Sequence, residues 1–128
     1  MIWTVHAGGS EVLVLQVTDD FLMWLHSRAR AAAVKALDPY CDARLDRDAL
    51  PLWIDEMARI EVELRAEERA RLLSVRRLPS DLTVREALLD VWVAQELGSG
   101  QNFQTLLEVR AALSLALESD GVVEMMGD

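Results

Sequence analysis

The chain has 128 residues, a length that fits one domain, 1–128, able to bury a core without a metal ion or a disulfide. Its formal charge is −9, and 52% of its residues are hydrophobic. This composition excludes a disordered protein, and the negative charge argues against binding to nucleic acid or to an anionic membrane. No apolar run reaches the roughly 18–20 residues that cross a bilayer. The first residues lack the basic start of a secretion signal, so we expect a soluble, cytoplasmic protein.

The first elements along the chain are predicted to be a β-hairpin and a helix. Ile2–Val5 and Val12–Val17 are rich in β-forming residues, and Gly8-Gly9-Ser10 lies between them as a turn. The second strand is almost continuously apolar, which predicts helices over both of its faces. Thr18 then supplies an N-cap oxygen for a helix that the alanine-rich pattern extends to about Leu37.

The middle of the chain is predicted to be a long loop followed by a long helix. Residues 38–51 are polar, and their aspartates are interpreted as turn-forming and helix-capping residues: Asp38, Asp42, Asp46 and Asp48. The helix after Pro51 extends to about Leu78. One face of this helix is apolar and includes Trp53, Met57, Ile60 and Leu64. Glutamates and arginines alternate on the other side, which indicates a solvated face.

Two further helices and a strand complete the predicted fold. Asp81 caps a helix that ends at Gly98-Ser99-Gly100, and its predicted apolar stripe consists of Val84, Leu88, Val91, Trp92 and Leu97. Another helix begins near Asn102, and residues 122–126 are predicted to form a strand beside the N-terminal hairpin. The expected fold class is therefore helix-rich α+β. About four helices pack on a small antiparallel sheet, which is formed by the N-terminal hairpin and the C-terminal strand.

The negative charge is concentrated in the C-terminal part of the sequence. Residues 79–128 contain nine acidic and two basic residues, whereas residues 1–78 contain 13 acidic and 11 basic residues. Acidic side chains on folded helices present carboxylates at fixed positions, which attract basic protein surfaces. We therefore expect the C-terminal helices to bind a basic partner protein.

The sequence has no catalytic or metal-binding motif. His6 and His26 are its two histidines, and neither has a second ligand at the spacing of a zinc site. The loop aspartates lack the central glycine and the terminal glutamate of a calcium-binding loop. We predict no cofactor and no metal. An enzymatic role would require His26, Cys41 or the loop aspartates to converge in a pocket, where His26 and Cys41 in contact could act as base and nucleophile.

Two aromatic residues are candidates for contact with a partner. Trp24 and Phe21 belong to the apolar run Phe21–Leu25, which is too wide for one face of a helix. Tryptophan is enriched at the centres of protein interfaces. Together with acids of the C-terminal helices, these residues give the predicted partner-binding set: Asp90, Glu96, Glu108, Trp24 and Phe21.

These features favour protein binding over catalysis. The leading hypothesis is a small acidic protein that neutralises a basic partner, as an immunity protein or an antitoxin does for a toxin. Three alternatives stay open. They are a secretion-type chaperone, a homo-oligomeric structural module such as a homodimer, and a small enzyme with a site near His26 and Cys41.

Overall fold

The computed structural model of the chain describes residues 1–127, so that the acidic Asp128 lies outside the described residues, and it confirms the helix-rich α+β fold. In chain order the elements are β1 (Ile2–Ala7), β2 (Ser10–Gln16), α1 (Asp19–Arg28), α2 (Ala32–Lys35), β3 (Ala43–Leu45), α3 (Leu50–Val75), α4 (Leu82–Gly98), α5 (Gln101–Glu118) and β4 (Val122–Met126). The four strands form one antiparallel sheet in the order β2-β1-β4-β3. No helix of this part of the chain is long and apolar enough to cross a membrane.

The main core lies between one face of the sheet and the helices. Trp3 of β1 contacts Trp53 of α3 edge to face, with the ring centroids 5.8 Å apart. Val5 and Met125 extend the same face of the sheet, and each has 1% of its surface exposed. The helices supply the other side of this core, with residues that include Phe21, Met57, Leu106 and Leu113.

The prediction that helices cover both faces of β2 is wrong. β2 is an edge strand, and its outward side chains Val12 and Val14 are 49% and 53% exposed. Only its inward side chains, Leu13 and Leu15, pack against the core. An antiparallel sheet needs one covered face, and the core helices lie on the face that carries Trp3.

The helix predicted from Thr18 to Leu37 is interrupted, which corrects that prediction. α1 ends at Arg28, the short α2 begins at Ala32, and the backbone is extended at the two flanking cap residues. Neither glycine nor proline occurs between the two helices. The interruption therefore has no local cause in the sequence.

A carboxylate of α3 stabilises the interruption. Glu56 accepts hydrogen bonds from the backbone N–H groups of Arg30 (2.8 Å) and Ala31, and from Nε of Arg59 (2.5 Å). Arg59 also donates to the carbonyl oxygen of Arg28 at 3.0 Å. Because Glu56 is only 5% exposed, its charge requires such partners. The predicted solvated face of α3 is therefore wrong at this glutamate.

The segment predicted as a loop over residues 38–51 contains the short strand β3. Ala43 and Leu45 pair with Met125 and Val123 of β4 and form the second edge of the sheet. Three residues are too few to show an alternating pattern, so the strand is set by its partner. The same segment also contains the first two residues of α3, with Pro51 as predicted near the helix start.

The apolar stripe predicted for α4 is only partly correct, because Trp92 and Leu97 pack against the small core whereas Val84 and Val91 do not. The buried residues of α4 are Leu89 and Val93, which cluster with Leu72 of α3. Val84 and Val91, both assigned to the stripe, are 49% and 51% exposed. The C-terminal half of α3 and α4, residues 65–98, thus forms a unit with a small core of its own, called here the α3–α4 pair.

Candidate functional site

The interruption between α1 and α2 produces a cleft on the surface. Residues 34–40 pass beside α1, and the space between them has a volume of about 550 Å³, which is within the usual range of ligand pockets. The floor is apolar and is formed by Leu22, Leu25 and Val34, each at most 7% exposed. A continuous helix from residue 18 to residue 37 would leave no such space.

The rim of the cleft combines exposed apolar side chains with acids. Met23 and Tyr40 line it and are 73% and 75% exposed. Asp19 and Asp38 line it as well, and within residues 1–127 neither carboxylate forms an ion pair. The cleft therefore offers apolar contact area next to two carboxylates without an ion-pair partner, and Lys35 donates to the carbonyl oxygen of the cleft residue His26 at 3.4 Å. This combination suits an apolar group adjacent to a cation.

Two of the four loop aspartates, Asp38 and Asp46, turn the backbone as predicted, and α3 begins after its N-cap residue Ala49 without a side-chain cap. Asp38 Oδ1 accepts from the N–H of Tyr40 at 2.9 Å, and Asp46 Oδ1 accepts from the N–H two residues later at 3.2 Å. Asp42 Oδ1 accepts from the N–H of Gly127 at 2.8 Å and ties this loop to the end of β4. Across residues 1–127 no group of three or more His, Cys, Asp or Glu side chains is arranged to hold a metal ion.

His26 and Cys41 line different depressions and form no base–nucleophile pair. His26 lines the cleft beside α1, whereas Cys41 lies at a second depression of about 300 Å³ beside β3. The Sγ of Cys41 donates to Oδ2 of Asp38 at 3.4 Å. This hydrogen bond and the negative charge of Asp38 raise the pKa of the Cys41 thiol. A protonated thiol is a poor nucleophile, so the geometry does not support a site built on this pair.

We predict that Asp38→Asn makes Cys41 more reactive near neutral pH. Asparagine keeps an acceptor for the N–H of Tyr40 but removes the carboxylate that raises the pKa of the thiol. Alkylation by iodoacetamide, followed between about pH 7 and pH 10, should be faster for the variant at the lower end of this range. The two rates should converge once both thiols are ionised. Equal rates at neutral pH would contradict the effect of Asp38.

The structure disperses the five residues predicted to bind a partner. Phe21 is 0% exposed and belongs to the core, so a partner of the folded chain does not reach it. Trp24 is half-buried, with its ring centroid 5.7 Å from that of Phe21, and it lines a shallow depression of about 260 Å³ together with Glu96. Asp90 and Glu108 are exposed on α4 and α5. Of the predicted set, Trp24 and Glu96 share one depression.

Arginines of α3 neutralise part of the acids on α4. Glu86 accepts two hydrogen bonds from Arg69, both 2.7 Å long, and Glu96 lies 3.7 Å from Arg71. The α3–α4 pair, residues 65–98, contains six acidic and six basic residues and has no net formal charge. The acidic excess counted along the C-terminal sequence therefore does not form a single acidic surface.

Sequence reasoning singled out His26 and Asp38, which line the cleft, but missed Met23 and Tyr40 at its rim. Met23 lies within the apolar run that was noted for Trp24, and Tyr40 follows the Asp38-Pro39 break. The sequence thus contained a signal for each of these two residues, but the signals pointed to separate secondary-structure elements. Only the interruption after α1 brings them together.

Comparison with known proteins finds no matching family model, no similar curated protein and no similar solved structure.

Proposed function

We propose that this chain is a protein-binding module that neutralises a basic partner through the cleft between α1 and residues 34–40. The observation that carries the proposal is an apolar floor joined to a rim with two carboxylates, Asp19 and Asp38, that have no ion-pair partner among the described residues. An immunity protein or an antitoxin that blocks a toxin is the class of protein with this role.

The occupant that fits the cleft is a segment of the partner in which an apolar side chain adjoins an arginine or a lysine. Burying a side chain of the size of leucine or phenylalanine on the floor contributes about 1.5–3 kcal/mol. The neighbouring cation lies near Asp19 or Asp38, where opposite charges speed association and select against acidic partners. Met23 adds a flexible apolar surface that adapts to the shape of the bound group.

Two double variants with the same change in charge test the proposal. Asp19→Asn with Asp38→Asn removes two charges at the rim, and Asp90→Asn with Glu108→Gln removes two exposed charges on α4 and α5. We expect the rim variant to slow association with the basic partner by roughly 3- to 10-fold at low salt, and the control to associate as the wild type does. Stopped-flow mixing with the purified partner measures both rates.

If the Asp90→Asn with Glu108→Gln variant associated more slowly and the rim variant did not, we would conclude that the partner binds the C-terminal helices, as predicted from the sequence. A partner whose association responds to neither variant would contradict any role of these acids. Competition by a peptide tests the second candidate, a secretion-type chaperone, which is favoured by the exposed apolar residues Met23 and Tyr40 beside the cleft. A chaperone binds an unfolded segment, so a short peptide from its partner would compete for the site, whereas a neutraliser needs the folded partner.

A further inference from the structure

Helix α4 is apolar on the face that points away from its neighbours. Its buried residues, Leu89 and Val93, lie against Leu72 of α3. On the opposite face apolar residues recur at three- and four-residue spacing: Val84, Ala87, Leu88, Val91 and Ala94. All of these are exposed except Leu88, which is half-buried. A helix that is apolar on two opposite faces is normally covered on both.

Three of the four charged residues of α4 are placed away from this outer face, whereas Asp90 borders it and the polar Gln95 lies on it. Glu86 pairs with Arg69, and Glu96 lies near Arg71, so these acids flank the contact with α3. An ordinary surface helix presents charged residues on the face opposite its buried stripe, whereas α4 presents mainly apolar residues there. The outer face of α4 is therefore built for contact with another apolar surface.

The distribution of charge favours a second copy of this chain as that surface. The α3–α4 pair, residues 65–98, is neutral, so the remaining residues carry the whole formal charge of −9. Two copies repel each other across those remaining surfaces but meet without net repulsion at the α3–α4 pair. A basic partner, in contrast, is attracted to the acids elsewhere and gains no electrostatic attraction at this face.

We propose that the chain forms a two-fold symmetric dimer in which the outer faces of two α4 helices pack together. Val84, Ala87, Val91 and Ala94 have the spacing of the a and d positions of a coiled coil, and a self-complementary stripe is what a two-fold contact requires. The 17 residues of α4 span about 25 Å. A contact of this length buries on the order of 1,000 Å² in total, at the lower end for specific dimers, so we expect an affinity in the micromolar range.

Sedimentation of the full chain between about 1 µM and 1 mM tests the dimer. The wild type should change from the mass of one chain to that of two across this range. Val84→Glu with Val91→Glu places like charges on both sides of the contact and should weaken the dimer at least 100-fold, by roughly the several kcal/mol that such charges cost. Leu52→Glu with Val62→Glu introduces the same charge at exposed positions of α3 and should dimerise as the wild type does.

Circular dichroism of each variant establishes whether α4 is still folded. If Val84→Glu with Val91→Glu loses helix content, Ala87→Lys with Ala94→Lys makes the same test with good helix formers at exposed positions. A wild type that stays monomeric at the highest concentration would overturn the proposal. So would a dimer that survives the substitutions on α4, or one that is lost equally in the α3 control.

Discussion

Replacing Glu56 by alanine is expected to lower the free energy of unfolding by about 2–4 kcal/mol. The substitution removes the shared acceptor of the Arg30 and Ala31 N–H groups and the buried counter-ion of Arg59. It also removes the contact that stabilises the interruption between α1 and α2, so the cleft should lose its shape. Urea unfolding followed by the fluorescence of the buried Trp53 measures the effect.

Glu63→Ala is the matched control for this prediction. Glu63 also pairs with Arg59, at 2.7 Å, but its side chain is 31% exposed and accepts no backbone hydrogen bond in the described part of the chain. Its loss should lower the free energy of unfolding by about 0–1 kcal/mol, as for other ion pairs open to solvent. If Glu56→Ala and Glu63→Ala were equally stable, the loss of stability could not be attributed to the backbone hydrogen bonds of Glu56.

The same glutamate should make the stability depend on pH. Burial raises the pKa of Glu56, but hydrogen bonds from Arg59, Ala31 and Arg30 together outweigh burial, and its pKa lies below the ordinary value. A carboxyl group whose pKa is lower in the folded state than in the unfolded state stabilises the fold at pH values above its unfolded-state pKa. This contribution is lost as the pH falls through the folded-state pKa. The stability difference between the wild type and Glu56→Gln should therefore narrow progressively in acid.

Replacing Gly121 by alanine is expected to destabilise the fold by about 1–3 kcal/mol. A Cβ at this position would overlap the backbone carbonyl oxygen of His6. Because β1 and β4 are paired next to this point, relief of the overlap requires one strand to move away from the other. Thermal and urea unfolding of the variant measure the loss.

Gly98→Ala provides the control for the effect of adding a methyl group. The nearest atom to a Cβ at Gly98 is Nε2 of Gln104, at 3.7 Å, which belongs to a flexible exposed side chain. Alanine in a helix is favoured over glycine, so this variant should be as stable as the wild type or more stable by up to about 1 kcal/mol. Equal stability of the two variants would show that the sheet adapts to the methyl group without cost.

The sequence predicts secondary structure well where local chemistry begins or ends an element. Thr18 and Asp81 cap α1 and α4 by accepting backbone N–H groups of the first turn. Gly98-Ser99-Gly100 separates α4 from α5, and Asp120, with a φ of 53°, turns the chain into β4. Each of these signals lies within a few residues of the boundary that it sets.

The features that were missed depend on contacts between distant parts of the chain. The interruption after α1 depends on Glu56, which lies on another helix, and the cleft follows from that interruption. Val84 and Val91 were wrongly assigned to the buried face of α4 because they and the buried residues Leu89 and Val93 are all apolar. Periodicity alone cannot choose between two apolar faces.

The order of strands in the sheet has a consequence for the path of folding. The two central strands, β1 and β4, lie near opposite ends of the described chain, where Ile2 pairs with Met126. Pairing across such a separation requires closure of a long loop, which is slow. Helices α3, α4 and α5 follow one another along the chain and form much of their packing among themselves. We therefore expect the helices to assemble first and the sheet to close over them last, with β3 unpaired until β4 arrives.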